Sequence, residues 1–356
     1  GRRLLRMFAI AILVLMAGYT TAYVASEDVR YLTRAGIEET RILQSRRPIA
    51  KLVADQRTPP ETRALLRMVL DARDYGATLG LEAKETYTTY ADVGRDTLLL
   101  VLSASPRNCL CAYTWKYPIV GRIPYKGFFD ANMARRTAEK MESRGFDVYL
   151  RPSGAFSTLG WFNDPLLSTA MGKDSMELAA TVLHEIAHNT LYVKSATPFN
   201  ESFAQMVGYH GAAEFFRQRG DTLDAARALD RWSDEILLSG YYAELGHQLD
   251  SLYQATSDTA AIMTGRQAVA AWARRELQDS IGPRLRSYRV GRLTERPINN
   301  AQIIAARIYR DRLALFEQWY QQHDHRVDSA VAALGRLVKG VPGDSVYAVL
   351  ERNVNP

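Results

Sequence analysis

Apolar residues change their spacing along this chain, and the changes mark its elements. Met7 to Gly18 is an apolar run that continues less purely to Ala25, with Arg2, Arg3 and Arg6 in front of it. Such a run is an export signal or a membrane anchor, and it approaches the roughly 20 residues that span a bilayer. Ala22 with Thr20 suits a signal peptidase better than Ala25 with Tyr23, so cleavage and retention both stay open. Either way the arginines remain on the cytoplasmic side, and Ser26 onward is expected outside the membrane.

From Val29 to Ala77 the apolar positions of YLTRAGIEETRILQ and TPPETRALLRMVLDARDYGA recur at helical spacing, with Thr58 as a cap and prolines in the first turn. Two helices are expected here. DTLLLVLSASP, Asp96 to Pro106, is a short apolar run bounded by turn residues and predicts a central strand. DANMARRTAEKMESRGFDVYLRP predicts a helix from about Ala131 to Ser143, stopped by Gly145, then a strand from Phe146 to Leu150. AFSTLGWF, Ala155 to Phe162, follows a turn at Ser153-Gly154 and reads as another strand. From Met176 the pattern is helical almost throughout, with breaks at Gly220, Gly240, the GPR around Pro283, and Pro297. The expected fold class is α+β and mostly helical. A small α/β part at about 80–175 joins a helical part at about 176–356, in one domain (26–356) behind the membrane segment (1–25).

With 356 residues and 47% hydrophobic, the chain can bury a sizeable core. Its formal charge of +6 comes from Lys and Arg spread along the whole length, without the basic stripe that tracks phosphates, so nucleic acid is not an expected partner. The two cysteines, Cys109 and Cys111 in RNCLCAYTW, lie on one face if this is a strand, where a bond between them would distort the backbone. They read as separate small core residues or a strained local pair, ahead of a metal site, and the fold does not rest on a disulfide framework.

The chemistry concentrates in MELAATVLHEIAHNTLYV. His184 and His188, four apart on an otherwise apolar helical pattern, project from one face at the separation that one Zn²⁺ needs. Glu185 lies roughly 100° around the helix from His184, where a general base for an attacking water belongs. With six histidines in the chain, H-E-x-x-H arises by coincidence in roughly 1 in 200 such sequences, so a third ligand has to be found. Glu201 supplies it: TPFNESFAQMV reads as a new helix with Thr197 as N-cap and Pro198 in its first turn, projecting Glu201 back toward the histidines. The bland alternative is a solvated acid at a helix start. Two histidines and one glutamate leave a zinc position for water, the mark of a catalytic rather than a structural site.

HExxH followed by NExxA resembles the gluzincin metallopeptidases, and more narrowly a bacterial family of predicted aminopeptidases, exported proteins with this zinc signature. The similarity extends through YLTRAG, SRRPIAKLV, YPIVGRIPYKGFF, AFSTLGWFNDPLLST, HEIAHNTLYVKSATPFNESFA and PINNAQIIAARIY. It implies a zincin-like small sheet packed on the HExxH helix, one zinc held by His184, His188 and Glu201, and Glu185 as catalytic acid and base on a peptide substrate. Many members carry a lipoprotein cysteine where this chain has LMAGY, so Tyr19 rules out acylation there. After NESFA the family tends toward acidic residues, whereas this chain has Gly208, Tyr209 and His210.

Such sites usually add a donor for the oxyanion, and Tyr309 and His210 are the candidates, Tyr309 preferred; its plain alternative is a packing tyrosine on an amphipathic helix. AFSTLGWFNDP is either an edge strand that pairs with an extended peptide, with Gly160 permitting close approach and Trp161 or Phe162 shaping a pocket, or a core strand ending in a tight turn. Asp164 is a candidate partner for a substrate ammonium group. The leading expectation is a zinc-dependent peptidase, an aminopeptidase, outside the cytoplasmic membrane. Its rivals are a membrane-tethered scaffold that retains zinc for stability and a zinc hydrolase of cell-wall peptides.

Overall fold

The computed structural model describes residues 2–117, 121–154, 165–172 and 174–354. The stretch AFSTLGWF and Asp164 lie outside the described residues. The chain opens with α1 (Arg2–Ala25) and α2 (Glu27–Ser45), then β1 (Arg47–Pro48), α3 (Ile49–Ala54) and α4 (Pro60–Thr78). Strands β2 (Thr89–Ala91), β3 (Leu99–Pro106), β4 (Trp115–Tyr117), β5 (Gly121–Ile123) and β6 (Lys126–Phe128) lead into α5 (Ala131–Ser143). Next come β7 (Phe146–Ser153), β8 (Leu166–Leu167) and α6 (Ser168–Met171). The remainder is helical: α7 (Ser175–Thr190), α8 (Thr197–Gln218), α9 (Thr222–Ala255), α10 (Thr259–Arg275), α11 (Val290–Thr294), α12 (Asn300–Ile308), α13 (Leu313–Gln321), α14 (Val327–Leu337) and α15 (Val346–Val354). The protein is α+β and mostly helical.

Helix α1 is long and apolar enough to cross a membrane, and none of its residues is buried. Arg30 closes its end by donating to the carbonyls of Tyr23 and Val24 at 3.0 and 2.7 Å, where a cation complements the exposed helix carbonyls.

The anticipated single sheet is instead several small ones, ordered β1-β2-β8, β6-β3-β7 and β4-β5 among the described residues. DTLLLVLSASP does supply the central strand, β3, which pairs antiparallel with β6 and β7. One face of that sheet buries Leu102 and Phe128 against Ala134 and Ala138 of α5. The other face turns toward α12: Asn300 N donates to Asp147 Oδ2 at 2.9 Å, and Asn299 Nδ2 to the Val148 carbonyl at 2.9 Å.

The main core gathers around α7, whose Leu178, Ala179, Val182, Leu183, Ile186 and Ala187 pack with residues of α4, α8, α13 and α14. A helix apolar on most sides belongs in the middle of a bundle. A second cluster, under Leu238, Leu245, Leu277 and Ile303, joins α9 to α10 and α12.

Three local expectations change. Gly240 does not break a helix: α9 runs through it to Ala255, because a single interior glycine costs only about 1 kcal/mol, which packing outweighs. Thr197 is the first helical residue rather than the cap, which is Ala196, and Thr58 likewise precedes a cap at Pro59; proline in the first turn suffices in both. Cys109 and Cys111 form a disulfide. They sit in the turn after β3, not on a strand, so the extended backbone that a bond would distort is not there, and of the two readings the local pair holds; Asn300 Nδ2 donates to the Cys109 carbonyl at 2.9 Å.

Candidate metal site

The site lies where α7 and α8 meet. Its floor is built by small residues on α8: Ala204, Gly208 and Gly211 follow Glu201 at the three-, seven- and ten-residue spacings that repeat one helix face. A Cβ at Gly208 would stand 2.8 Å from the Ala180 carbonyl oxygen and 3.3 Å from His184 Cβ, and one at Gly211 3.0 Å from Leu183 Cδ1. Glycine therefore allows α8 to approach α7 closely, and Glu201, on the same face, is carried up to the histidines.

His184 Nε2 and His188 Nε2 are 3.2 Å apart, and Glu201 Oε2 lies 3.3 Å from the first and 3.7 Å from the second. Ligands at the usual zinc bond lengths, arranged tetrahedrally, stand ~3.3 Å from one another. The donor set and its spacing thus fit a single ion. The three side chains are half-buried, at 15%, 22% and 17% exposure, on an otherwise buried helix pair. Among the described residues this is the group able to hold a metal.

Local contacts aim these side chains. Asn200, buried beside Glu201, accepts from Val193 N at 2.9 Å and donates to the Val193 carbonyl at 2.8 Å, fixing the turn that joins the helices. Asp174 caps α7 by accepting from Met176 N and Glu177 N, and forms an ion pair with Arg227 of α9. His188 Nδ1 is buried and has no partner among the described residues, so this ring is oriented by the helix and by its Nε2 contacts.

Burial pushes the Glu201 carboxyl up, but the hydrogen bonds and charge of His184 and His188 outweigh it and hold the group at about 2. Burial pushes His188 down, yet its bond to Glu201 leaves it raised overall. The cluster is a carboxylate facing imidazoles, which is the ionisation a cation requires of this carboxyl.

Tyr309 comes to this side of the molecule. It caps the C-terminal end of α12, is 37% exposed, and is pushed up to about 12 by burial and by the charge of Glu201, with Arg151 opposing and Glu185 adding. The turn that follows it is tied down: Ser202 Oγ donates to the Asp311 carbonyl at 2.7 Å, Ser239 Oγ to the Arg310 carbonyl at 2.8 Å, and the Arg310 guanidinium pairs with buried Glu235 at 2.6 Å. Ser202 is the neighbour of Glu201, so one turn of α8 fixes both Glu201 and the turn after Tyr309.

His210, the other candidate donor, is not at the site. Nine residues beyond Glu201 it faces the opposite side of α8, where its Nε2 meets Glu317 Oε2 at 2.8 Å and its ring stacks on Tyr320. Trp232 Nε1 also donates to Glu317, at 2.6 Å. Burial raises the Glu317 carboxyl, but these partners outweigh it and leave it at about 2, below its ordinary 4.5. A lowered folded-state value contributes stability above the unfolded one, and that stability is lost as pH falls from 4.5 toward 2. Urea unfolding at about pH 5 and about pH 3 should show a drop in wild-type stability that is smaller in Glu317→Gln; equal drops would contradict this assignment.

Asn200, Ser202, Gly208 and Arg151 were not singled out for the site in the sequence. The signal available for Gly208 was its spacing from Glu201; that for Asn200 and Ser202 was adjacency to it within NESFA.

Fold and cluster together define a class: a mostly helical α+β protein with a His-His-Glu group able to hold a metal ion. The chain belongs to the family described as "Putative aminopeptidase", whose model matches residues 30–343. That membership supports a peptidase. No curated protein and no solved structure matches the chain.

Proposed function

We propose that this protein is a zinc-dependent aminopeptidase held at, or released from, the outer face of the cytoplasmic membrane, on the periplasmic side. The observation that carries the reading is the spacing of His184, His188 and Glu201, close to that of ligands around one tetrahedral ion, with Glu185 beside them. Family membership supports the peptidase class, and α1 is the segment that would reach the membrane.

His184, His188 and Glu201 would hold the ion. Zinc, when bound, supplies the Lewis acidity that activates water and polarises the scissile carbonyl. Glu185 takes the proton from the attacking water and passes it to the leaving amine, for which it must stand within hydrogen-bond reach of both. Its negative charge acts on both His188 and Tyr309, which supports a place for it near this group. Tyr309, kept protonated at all ordinary pH values by its raised pKa, donates a hydrogen bond to the developing oxyanion. A structural zinc site has no use for such a base, which favours an enzyme over a scaffold.

The test is digestion of a peptide library, with free and with acetylated amino termini, by the zinc-loaded full chain. Cleavage confined to the terminal residue of free peptides is the expected result. Internal cuts would make the protein an endopeptidase, and intact peptides would leave the scaffold reading.

A further inference from the structure

The β6-β3-β7 sheet presents an unexpected cation to this site. In antiparallel pairs, directly opposed residues share a face. Val101 is opposed by Gly127 on one side and Arg151 on the other, whereas Leu102 is opposed by Lys126 and Leu150, whose face packs on α5. Arg151 therefore stands on the face that turns to α12, together with Asp147, and alternation carried back one step from Lys126 places Tyr125 there too.

Lengths then locate Arg151 along that face. Asp147 is joined to Asn300 at the start of α12. Four residues of strand from Asp147 to Arg151 cover ~13 Å, and nine residues of helix from Asn300 to Tyr309 cover ~13.5 Å. Strand and helix are thus fastened at one end and reach over like distances, which allows Arg151 and Tyr309 to meet. Electrostatics agree: the phenols of Tyr125 and Tyr309 both sense the positive charge of Arg151 and the negative charge of Glu201. Arg151 is half-buried and, among the described residues, has no hydrogen bond or ion pair through its guanidinium, while other arginines of this region, Arg266 and Arg310, are paired with Asp147 and Glu235.

We propose that Arg151 is a specificity-determining residue whose guanidinium, between Tyr125 and Tyr309, anchors a carboxylate of the peptide substrate. A planar guanidinium matches a carboxylate with two parallel hydrogen bonds. Glu201 is committed to the histidines and the ion they would hold, and among the described residues no other carboxylate pairs with Arg151, which leaves its charge for a substrate. The carboxylate is either the free C-terminus of a short peptide or an acidic side chain. This assignment rests on the peptidase reading above and names the substrate class that reading leaves open.

Matched peptide pairs test it on the zinc-loaded full chain, one pair differing by a C-terminal acid against an amide, the other by an internal Glu against Gln. In one pair kcat/KM should favour the acid by roughly tenfold to a hundredfold, the worth of a charge-assisted hydrogen bond. Which pair shows it identifies the carboxylate. In Arg151→Gln the ratio should fall to about 1, through KM, and Arg151→Lys should recover part of it. No preference in either pair, or a preference that survives Arg151→Gln, would overturn the proposal. So would an equal loss on acid and amide peptides, which marks Arg151 as an oxyanion donor or a tuner of Glu201. If the wild type cuts nothing, calorimetric binding of the same pairs to zinc-loaded Glu185→Gln, with and without Arg151→Gln, still decides. Tighter binding of the acid that depends on Arg151 keeps the carboxylate site while the peptidase reading falls; its absence removes both.

Discussion

Glu185→Gln should lower kcat/KM by roughly 10³-fold or more while leaving zinc content unchanged, since a positioned general base is worth about 10² to 10⁴. The side chain keeps its length and its half-exposed place on α7 but can no longer accept the proton of the attacking water. It is not among the converging ligand atoms, which belong to His184, His188 and Glu201. Metal analysis beside the kinetics separates the roles: loss of both metal and activity would make Glu185 a ligand, and full activity would remove it from the mechanism.

Gly208→Val should be the most damaging change away from the ligands themselves. A Cβ there meets the Ala180 carbonyl at 2.8 Å, and because that atom is backbone, no rotamer relieves the clash. The helices must part, which costs about 1–3 kcal/mol for an overpacked core and drags Glu201, two turns earlier on the same face, off the histidines. Thermal unfolding should show the lower stability, and zinc titration an affinity reduced by at least about tenfold. Gly240→Ala is the contrast: inside α9, with nothing within 4 Å of the added atom, it should stabilise by about 0.5–1 kcal/mol. A Gly208→Val protein that binds zinc as tightly as wild type would show that α7 and α8 need not touch to form the site.

The convergence of His184, His188 and Glu201 was legible because its constraint is local. His184 and His188 share a face by helical spacing alone, and Glu201 follows after one connection. Helix α5 and strand β3 were legible for the same reason, since a periodic run between turn residues defines itself. What stayed hidden depends on distant partners. His210 looked like a donor near the site until α13 placed Glu317 opposite it. Tyr309 could be proposed, but the buried Glu235–Arg310 pair and the Ser202 bond that hold its turn join residues far apart in sequence. Arg151 is one arginine in FDVYLRPS, and its face is decided by the register of β3 against β6 and β7. The cysteine pairing stayed open between two readings because the spacing alone does not tell strand from turn, and the chain turns there.

Zinc titration into the metal-free full chain, followed by calorimetry and elemental analysis for wild type and Glu201→Ala, tests the central claim most directly. The account predicts about one tightly held zinc per wild-type chain, as for a His₂Glu site, and a loss of at least about tenfold in affinity without Glu201. A wild-type chain that takes up no zinc, or that binds it equally well without Glu201, would contradict it.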